Sequence, residues 1–130
     1  MSSKHIAWIV GAVIVAGVGG WMIGASGRSA ELQLTRTAEQ RADLAEVRAL
    51  IVEGRVSLFL SNFGDASKKF EAAITGLERM QIQLRENAQA ERAGRLEIAI
   101  AHARDAQRLA ASFDASAHTA ADEALKAIVP

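Results

Sequence analysis

The stretch NFGDASKKFEAAI, residues 62–74, decides the fold, because it holds both the end of one helix and the start of the next. Gly64 can adopt the left-handed conformation in which many helices end. Asp65 can cap the following helix through its carboxylate and pair with Lys69 one turn later. The sequence therefore predicts a helix–turn–helix hairpin centred on Gly64.

The residues before this turn predict a long helix at about 30–62. Its apolar residues succeed one another at spacings of three and four, the period of a helix with one apolar face. These residues are Leu34, Ala38, Ala42, Ala45, Ala49, Val52, Val56, Phe59 and Phe63. The first half of this face is mostly alanine, whereas the second half is bulky and is widened by Leu50, Ile51, Leu58 and Leu60. We therefore expect core packing to begin near Leu44 and the preceding turns to form a stalk.

Three further helices are predicted after the turn, at about 65–86, 90–113 and 116–128. Each of them repeats the helical apolar spacing, and Phe113 is expected in the core. Asn87 marks the break between the first two, although the residues around it tolerate a helix, so one continuous helix over 65–113 is the alternative. Asp114 can cap the last helix. The predicted fold is all-α, with a small antiparallel helical bundle over residues 44–130.

The central hairpin resembles one unit of the tetratricopeptide-repeat family, which pairs two antiparallel helices through small residues at close crossings. Gly54 stands where that family keeps a small residue in its first helix, and Phe63 stands at the aromatic position near the turn. Ala66, Phe70 and Ala73 match the Ala-x-x-x-aromatic-x-x-Ala pattern of the second helix. The resemblance covers about 30 of the 130 residues. It implies a groove between helices that binds a partner protein.

Four positions depart from the family's pattern: Leu50 stands at the early tryptophan, Glu53 at a leucine, Ser57 at a tyrosine and Glu78 at the terminal proline. Repeats of this kind normally need three or more stacked copies for stability. A degenerate unit within a four-helix bundle is therefore the alternative to a repeat array. In either case the residues expected to set the partner groove are Gly54, Phe59, Phe63, Ala66, Phe70 and Ala73.

The N-terminal part of the chain is predicted to be a membrane anchor. After a short tail at residues 1–5, residues 6–25 carry no charged side chain, and ~20 helical residues span about 30 Å, the thickness of the hydrocarbon core of a bilayer. Trp8 and Trp21 lie near the two ends, as interfacial anchors do. A cleaved signal peptide is one alternative, but its apolar region is shorter, about 7–15 residues. A buried core helix is another. Residues 26–43 are predicted to form a linker and the stalk.

One strip of this anchor carries only small residues at every fourth position: Ala12, Ala16, Gly20 and Gly24. Such a strip lets two membrane helices approach until their backbones touch. Membrane helices are rich in glycine and alanine, so the same spacing also arises by chance. The strip predicts a contact within the lipid, either with a second copy, giving a homo-oligomer, or with another membrane protein.

The orientation of the anchor rests on two opposing signals. A short tail with Lys4 before an apolar segment is the usual form of a signal anchor, which exports the domain on its C-terminal side. Arg28, Arg36 and Arg41 on the other side favour a cytoplasmic domain under the positive-inside rule. We expect the first arrangement, a single-pass protein of a bacterial inner membrane with its C-terminal domain outside the cytoplasm.

Composition and motifs exclude several classes of function. The 15 basic and 15 acidic residues cancel and aromatic residues make up only 5% of the chain, which argues against nucleic acid as a partner. Cysteine is absent, and His5, His102 and His118 form no metal-binding motif. We therefore expect no catalytic residue, no metal site and no cofactor.

The sequence predicts a non-enzymatic, single-pass membrane protein whose helical domain docks a protein partner as a scaffold or adaptor. Two alternatives stay open: an accessory subunit of a larger membrane complex, and a small membrane-proximal sensory module that binds a ligand. Arg85, Arg92 and Arg95 lie around the predicted turn at Asn87. They form either a solvated face or a docking surface for an acidic partner.

Overall fold

The computed structural model describes the backbone of residues 3–128 and the side chains of residues 29–128. These residues form four helices and no strand: α1 (Ser3–Phe59), α2 (Phe63–Glu86), α3 (Ala90–Ala111) and α4 (Ala117–Ile128). The all-α prediction is therefore confirmed for this part of the chain. The chain divides into two compact units, residues 1–39 and residues 40–130, of which the second is the helical domain.

The predicted membrane anchor at residues 6–25 lies outside the residues whose side chains are described, and so do Ala12, Ala16, Gly20 and Gly24. Within the described part of the chain, no helix has the length and apolarity that crossing a bilayer requires. The anchor and its small-residue strip therefore stay predictions.

The helical domain is an antiparallel bundle in which each helix packs on its sequence neighbour and α4 returns to α1. Short turns join consecutive helices, which makes them antiparallel. Phe70 and Leu77 of α2 are fully buried at its centre. The inner faces of α3 and α4 are mostly alanine, and these side chains are completely buried: Ala99, Ala103, Ala106, Ala110, Ala117, Ala121 and Ala124. Alanine at the contact lets helix backbones approach closely, at the low end of the usual interaxial distances.

The side of α1 that enters the core is not the predicted one. Val47, Ile51 and Leu58 are buried, whereas most of the residues predicted to face inward are exposed. The exposed members in the helical domain are Ala42, Ala45, Ala49, Val52, Val56 and Phe59. The helix has two apolar faces, and the one that packs carries Gly54, where the Phe70 ring of α2 approaches closely.

All three turns between helices place a residue other than glycine in the left-handed conformation. The φ angles are 57° at Ser61, 57° at Ala88 and 59° at Phe113. At the first turn Ser61 N–H donates to the Leu58 carbonyl and Asn62 N–H donates to the Ser57 carbonyl. This pair of bonds is the Schellman pattern, and the other two turns repeat it.

The prediction that Gly64 ends the first helix was therefore wrong. Gly64 lies in the first turn of α2, and the cap is the side chain of Asn62, which accepts a hydrogen bond from the Asp65 N–H at 3.2 Å. Asp65 instead accepts a 2.6 Å hydrogen bond from the Ser57 hydroxyl. Asn62 already caps α2. The left-handed residue that ends α1 is therefore the residue before Asn62, which is Ser61, and not Gly64.

Candidate partner-binding site

The predicted groove residues of the hairpin are mostly its packed centre. Ala66, Phe70 and Ala73 are each 0% exposed. A Cβ atom at Gly54 would lie 2.6 Å from Cε1 of Phe70, closer than real side chains approach. Gly54 therefore sets the spacing of α1 and α2. These four residues position helices, and their burial keeps them from contact with a partner.

A second glycine repeats this arrangement two turns further along the hairpin. A Cβ atom at Gly76 of α2 would lie 2.7 Å from Cγ2 of Val47 in α1. Each helix thus supplies one glycine and one large side chain to the other. The sequence comparison with the tetratricopeptide pattern indicated Gly54 but not Gly76.

The two other predicted groove residues are aromatic and lie near the α1–α2 turn. Phe59 is 72% exposed, and its ring centroid is 4.3 Å from that of His118 in α4. Phe63 is half-buried and meets Phe113 edge to face, with the ring centroids 5.7 Å apart. Phe113 is 75% exposed. The expectation that Phe59 and Phe113 belong to the core was wrong, because Phe59 ends α1 and Phe113 is the left-handed residue after α3.

The other end of the helical domain contains a small cavity that no single stretch of sequence indicates. Its volume is about 90 Å³, and all four helices or the turns beside them contribute to it. The residues that line it are Gln40, Leu44, Met80, Gln83, Leu84, Arg92, Arg95, Leu96, Ala127 and Ile128. Leucine, methionine and isoleucine make its floor, and two arginines and two glutamines carry its polar atoms.

The two arginines of this cavity differ in their hydrogen bonding. Arg92 donates to the Gln89 side chain at 2.7 Å and reaches the Gln40 side chain at 3.5 Å. Arg95 is exposed and has no hydrogen bond or ion pair within the described part of the chain. Arg85, the third arginine of the predicted basic cluster, points elsewhere and lies 3.6 Å from Glu97. The structure thus separates Arg85 from the pair that lines the cavity.

A wider and shallower depression of about 450 Å³ runs between α2 and α3. Its polar side chains are already matched, since Arg104 pairs with Glu78 and Arg85 pairs with Glu97. Ile82 is 57% exposed at its edge. Because these charges are paired across the depression, it offers a ligand fewer free polar groups than the cavity does.

The shifted pKa values belong to surface ion pairs and caps. A hydrogen bond from Lys126 lowers the pKa of Asp122, and hydrogen bonds from the hydroxyl and the N–H of Ser116 lower the pKa of Asp114. Glu53 raises the pKa of Lys69 through a 2.7 Å contact. Lys69 therefore pairs across to α1, and the predicted pairing partner Asp65 adds only a weaker electrostatic contribution.

Within the described residues no cluster of three or more histidine, aspartate or glutamate side chains could hold a metal ion. His102 and His118 lie on α3 and α4. No known protein family, curated protein or solved structure matches the chain.

Proposed function

We propose that this chain is a membrane-tethered adaptor whose helical domain binds a segment of a partner protein in the cavity at the α2–α3 turn. The tether is the apolar stretch 6–25, and the domain lies on the extracytoplasmic side. The observation that supports binding is the pairing of an apolar floor with the arginine side chains of Arg92 and Arg95. The hairpin of α1 and α2 is proposed as a degenerate relative of the tetratricopeptide unit, with Gly54 in its family role.

The cavity suits one apolar side chain that has a carboxylate beside it. Leu44, Leu84 and Ile128 provide an apolar surface, where a buried side chain gains ~25 cal/mol per Å² removed from water. The guanidinium of Arg95, which has no partner among the described residues, can hold a carboxylate with two parallel hydrogen bonds. The partner segment is therefore expected to present leucine, isoleucine or methionine next to aspartate or glutamate.

The size of the cavity favours a protein segment over a small-molecule ligand. Ligand pockets usually enclose about 300–1,000 Å³, whereas this cavity encloses about 90 Å³. A single anchoring side chain is the kind of group that fills such a pocket at a protein interface. The sensory-module alternative would have to use the wider depression between α2 and α3, whose charged side chains are already paired with each other. An accessory subunit of a membrane complex is one form that the proposed function can take.

The test is selection of peptides by the full chain held in lipid nanodiscs. A random displayed peptide library is expected to yield sequences with an adjacent apolar and acidic residue. Arg92→Glu combined with Arg95→Glu should abolish that enrichment, while Lys68→Glu, an exposed lysine on α2 away from the cavity, should leave it unchanged. Selected peptides without this pair of residues, or equal binding to all variants, would refute the proposal.

A further inference from the structure

The outward side of α1 in the helical domain carries an apolar face that the other helices leave exposed, apart from the contact of Phe59 with His118 of α4. It consists of residues at alternating spacings of three and four, here called the outer stripe: Ala42, Ala45, Ala49, Val52, Val56 and Phe59. All of them are exposed. The large ones are open to solvent by 47% at Val52, 51% at Val56 and 72% at Phe59.

The spacing of the outer stripe is that of a two-stranded coiled coil. Steps of three and four alternate without a break over the six residues, which is the seven-residue repeat of the apolar a and d positions. Ala42, Ala49 and Val56 take position a, and the other three take position d. Such a repeat keeps one narrow apolar seam facing a partner helix.

Charged residues flank the outer stripe with the same seven-residue period. Arg41, Arg48 and Arg55 lie along one edge, at position g. Glu46 and Glu53 lie along the other edge, at position e. The outer stripe therefore has a basic side and an acidic side along one helix.

This arrangement complements itself only when two copies run in the same direction. In a parallel pair, a g residue meets the e residue of the partner's next heptad, so that Arg41 faces Glu46 and Arg48 faces Glu53 of the second copy. In an antiparallel pair, arginine would face arginine and glutamate would face glutamate. We propose that two copies of this chain associate in parallel through the outer stripe.

The contacts within one chain leave the four charges that would meet in a dimer available, whereas Arg55 is paired with Asp122 at 3.3 Å. Arg48 gives one donor to the carbonyl of Ile128 at 3.2 Å, which leaves further guanidinium donors. Glu53 shares its carboxylate with Lys69. Arg41 and Glu46 are exposed and make no hydrogen bond or ion pair within the described residues, so this pair is the sharpest point to test.

The chain contains no cysteine, so single introduced cysteines report the arrangement directly. In a parallel dimer every a position faces its own copy, and disulfides need Cβ atoms only about 3.5–4.5 Å apart. In full-length protein in nanodiscs, Ala42→Cys, Ala49→Cys and Val56→Cys should each form disulfide-linked dimers on mild oxidation. Thr75→Cys, exposed on α2, is the matched control and should stay monomeric. In an antiparallel pair a positions face d positions of the second copy, so the loss of cross-linking at Ala42 and Val56 would indicate that arrangement and overturn the proposal, as would equal cross-linking at Thr75.

A charge-exchange series separates this surface from any contact inside the membrane. In the Ala49→Cys background, Glu46→Arg should reduce the dimer fraction several-fold, and adding Arg41→Glu should restore it. Gly20→Leu with Gly24→Leu should leave the Ala49→Cys disulfide in place, because the outer stripe lies outside the predicted anchor. If exchange of both charges does not restore the dimer, or if the glycine variant alone removes it, the outer stripe is not the dimer contact.

Discussion

Replacing Gly54 by alanine tests the tight packing of α1 against Phe70 of α2. The added Cβ would lie 2.6 Å from Cε1 and 3.0 Å from Cδ1 of Phe70, a ring with no exposed surface in which to retreat. Overpacking of this kind costs about 1–3 kcal/mol. The better helix propensity of alanine offsets roughly 1 kcal/mol of this cost. We therefore expect a net loss of about 1 kcal/mol in the free energy of unfolding.

Gly94 supplies the matched control, since a Cβ atom there meets nothing within 4 Å. Gly94→Ala in α3 should raise the free energy of unfolding by about 0.5–1 kcal/mol, because alanine favours the helix more than glycine does and its Cβ meets no other atom. The two variants should thus move the melting temperature in opposite directions, by roughly 4–8 °C per kcal/mol for a domain of this size. Far-ultraviolet circular dichroism of the full chain in mild detergent measures both.

Phe70→Leu provides the second half of this test. The smaller side chain costs stability by itself but removes the ring atoms that Gly54→Ala would strike. Combined with Gly54→Ala, it should give a favourable coupling energy of at least about 0.5 kcal/mol, on the order seen for residues in contact. If Gly54→Ala stabilised the protein as much as Gly94→Ala does, the proposed close approach of α1 and α2 would be refuted.

Three further predictions concern the turns, the ion pairs and the N-terminal stretch. Ala88→Gly should raise the free energy of unfolding by about 1 kcal/mol, because it relieves the left-handed strain of alanine, whereas Ala101→Gly in the middle of α3 should lower it by about as much; thermal melts of both decide. Asp122, whose pKa is lowered in the folded state from its ordinary 3.8, should contribute stability at neutral pH that is lost as the pH falls below about 4, and Asp122→Asn should remove that part of the pH dependence in melting curves. Full-length protein should stay in the membrane pellet after alkaline carbonate extraction, and its release into the supernatant would contradict an anchor at residues 6–25.

The sequence predicted α2 better than α1, and the reason lies in the number of apolar faces. In α2 a single apolar series runs through Ala66, Phe70 and Ala73, and those residues are buried. In α1 the series through Val56 and Phe59 competes with a second series through Ile51 and Leu58. Periodicity alone does not rank two apolar faces on one helix, because both fit the same period. The choice depends on which face fits the partner helix, which here is the face with Gly54.

The cavity at the α2–α3 turn could not be predicted from the sequence either, because it also depends on how the helices pack. Leu44, Met80 and Ile128 come from three different helices, and their meeting depends on how far each helix slides along the others. Arg92 and Arg95 were identifiable from the sequence, together with Arg85, as basic residues around a turn. That Arg92 and Arg95 share an apolar floor, whereas Arg85 turns away to Glu97, follows only from how the helices pack on one another.

The two apolar faces of α1 support the association of two copies through the outer stripe, as the charged residues beside that stripe do. A helix that is apolar on one side only belongs at the surface of a bundle, whereas one that is apolar on two opposite sides is normally covered on both. Val47 and Ile51 are covered by the rest of the domain, while Val52 and Val56 on the other side remain open. A second copy of the chain would cover them and place α1 at the centre of the assembly. The cavity lined by Arg92 and Arg95 is built on the inward side of α1, so the dimer and the proposed partner segment would use separate surfaces.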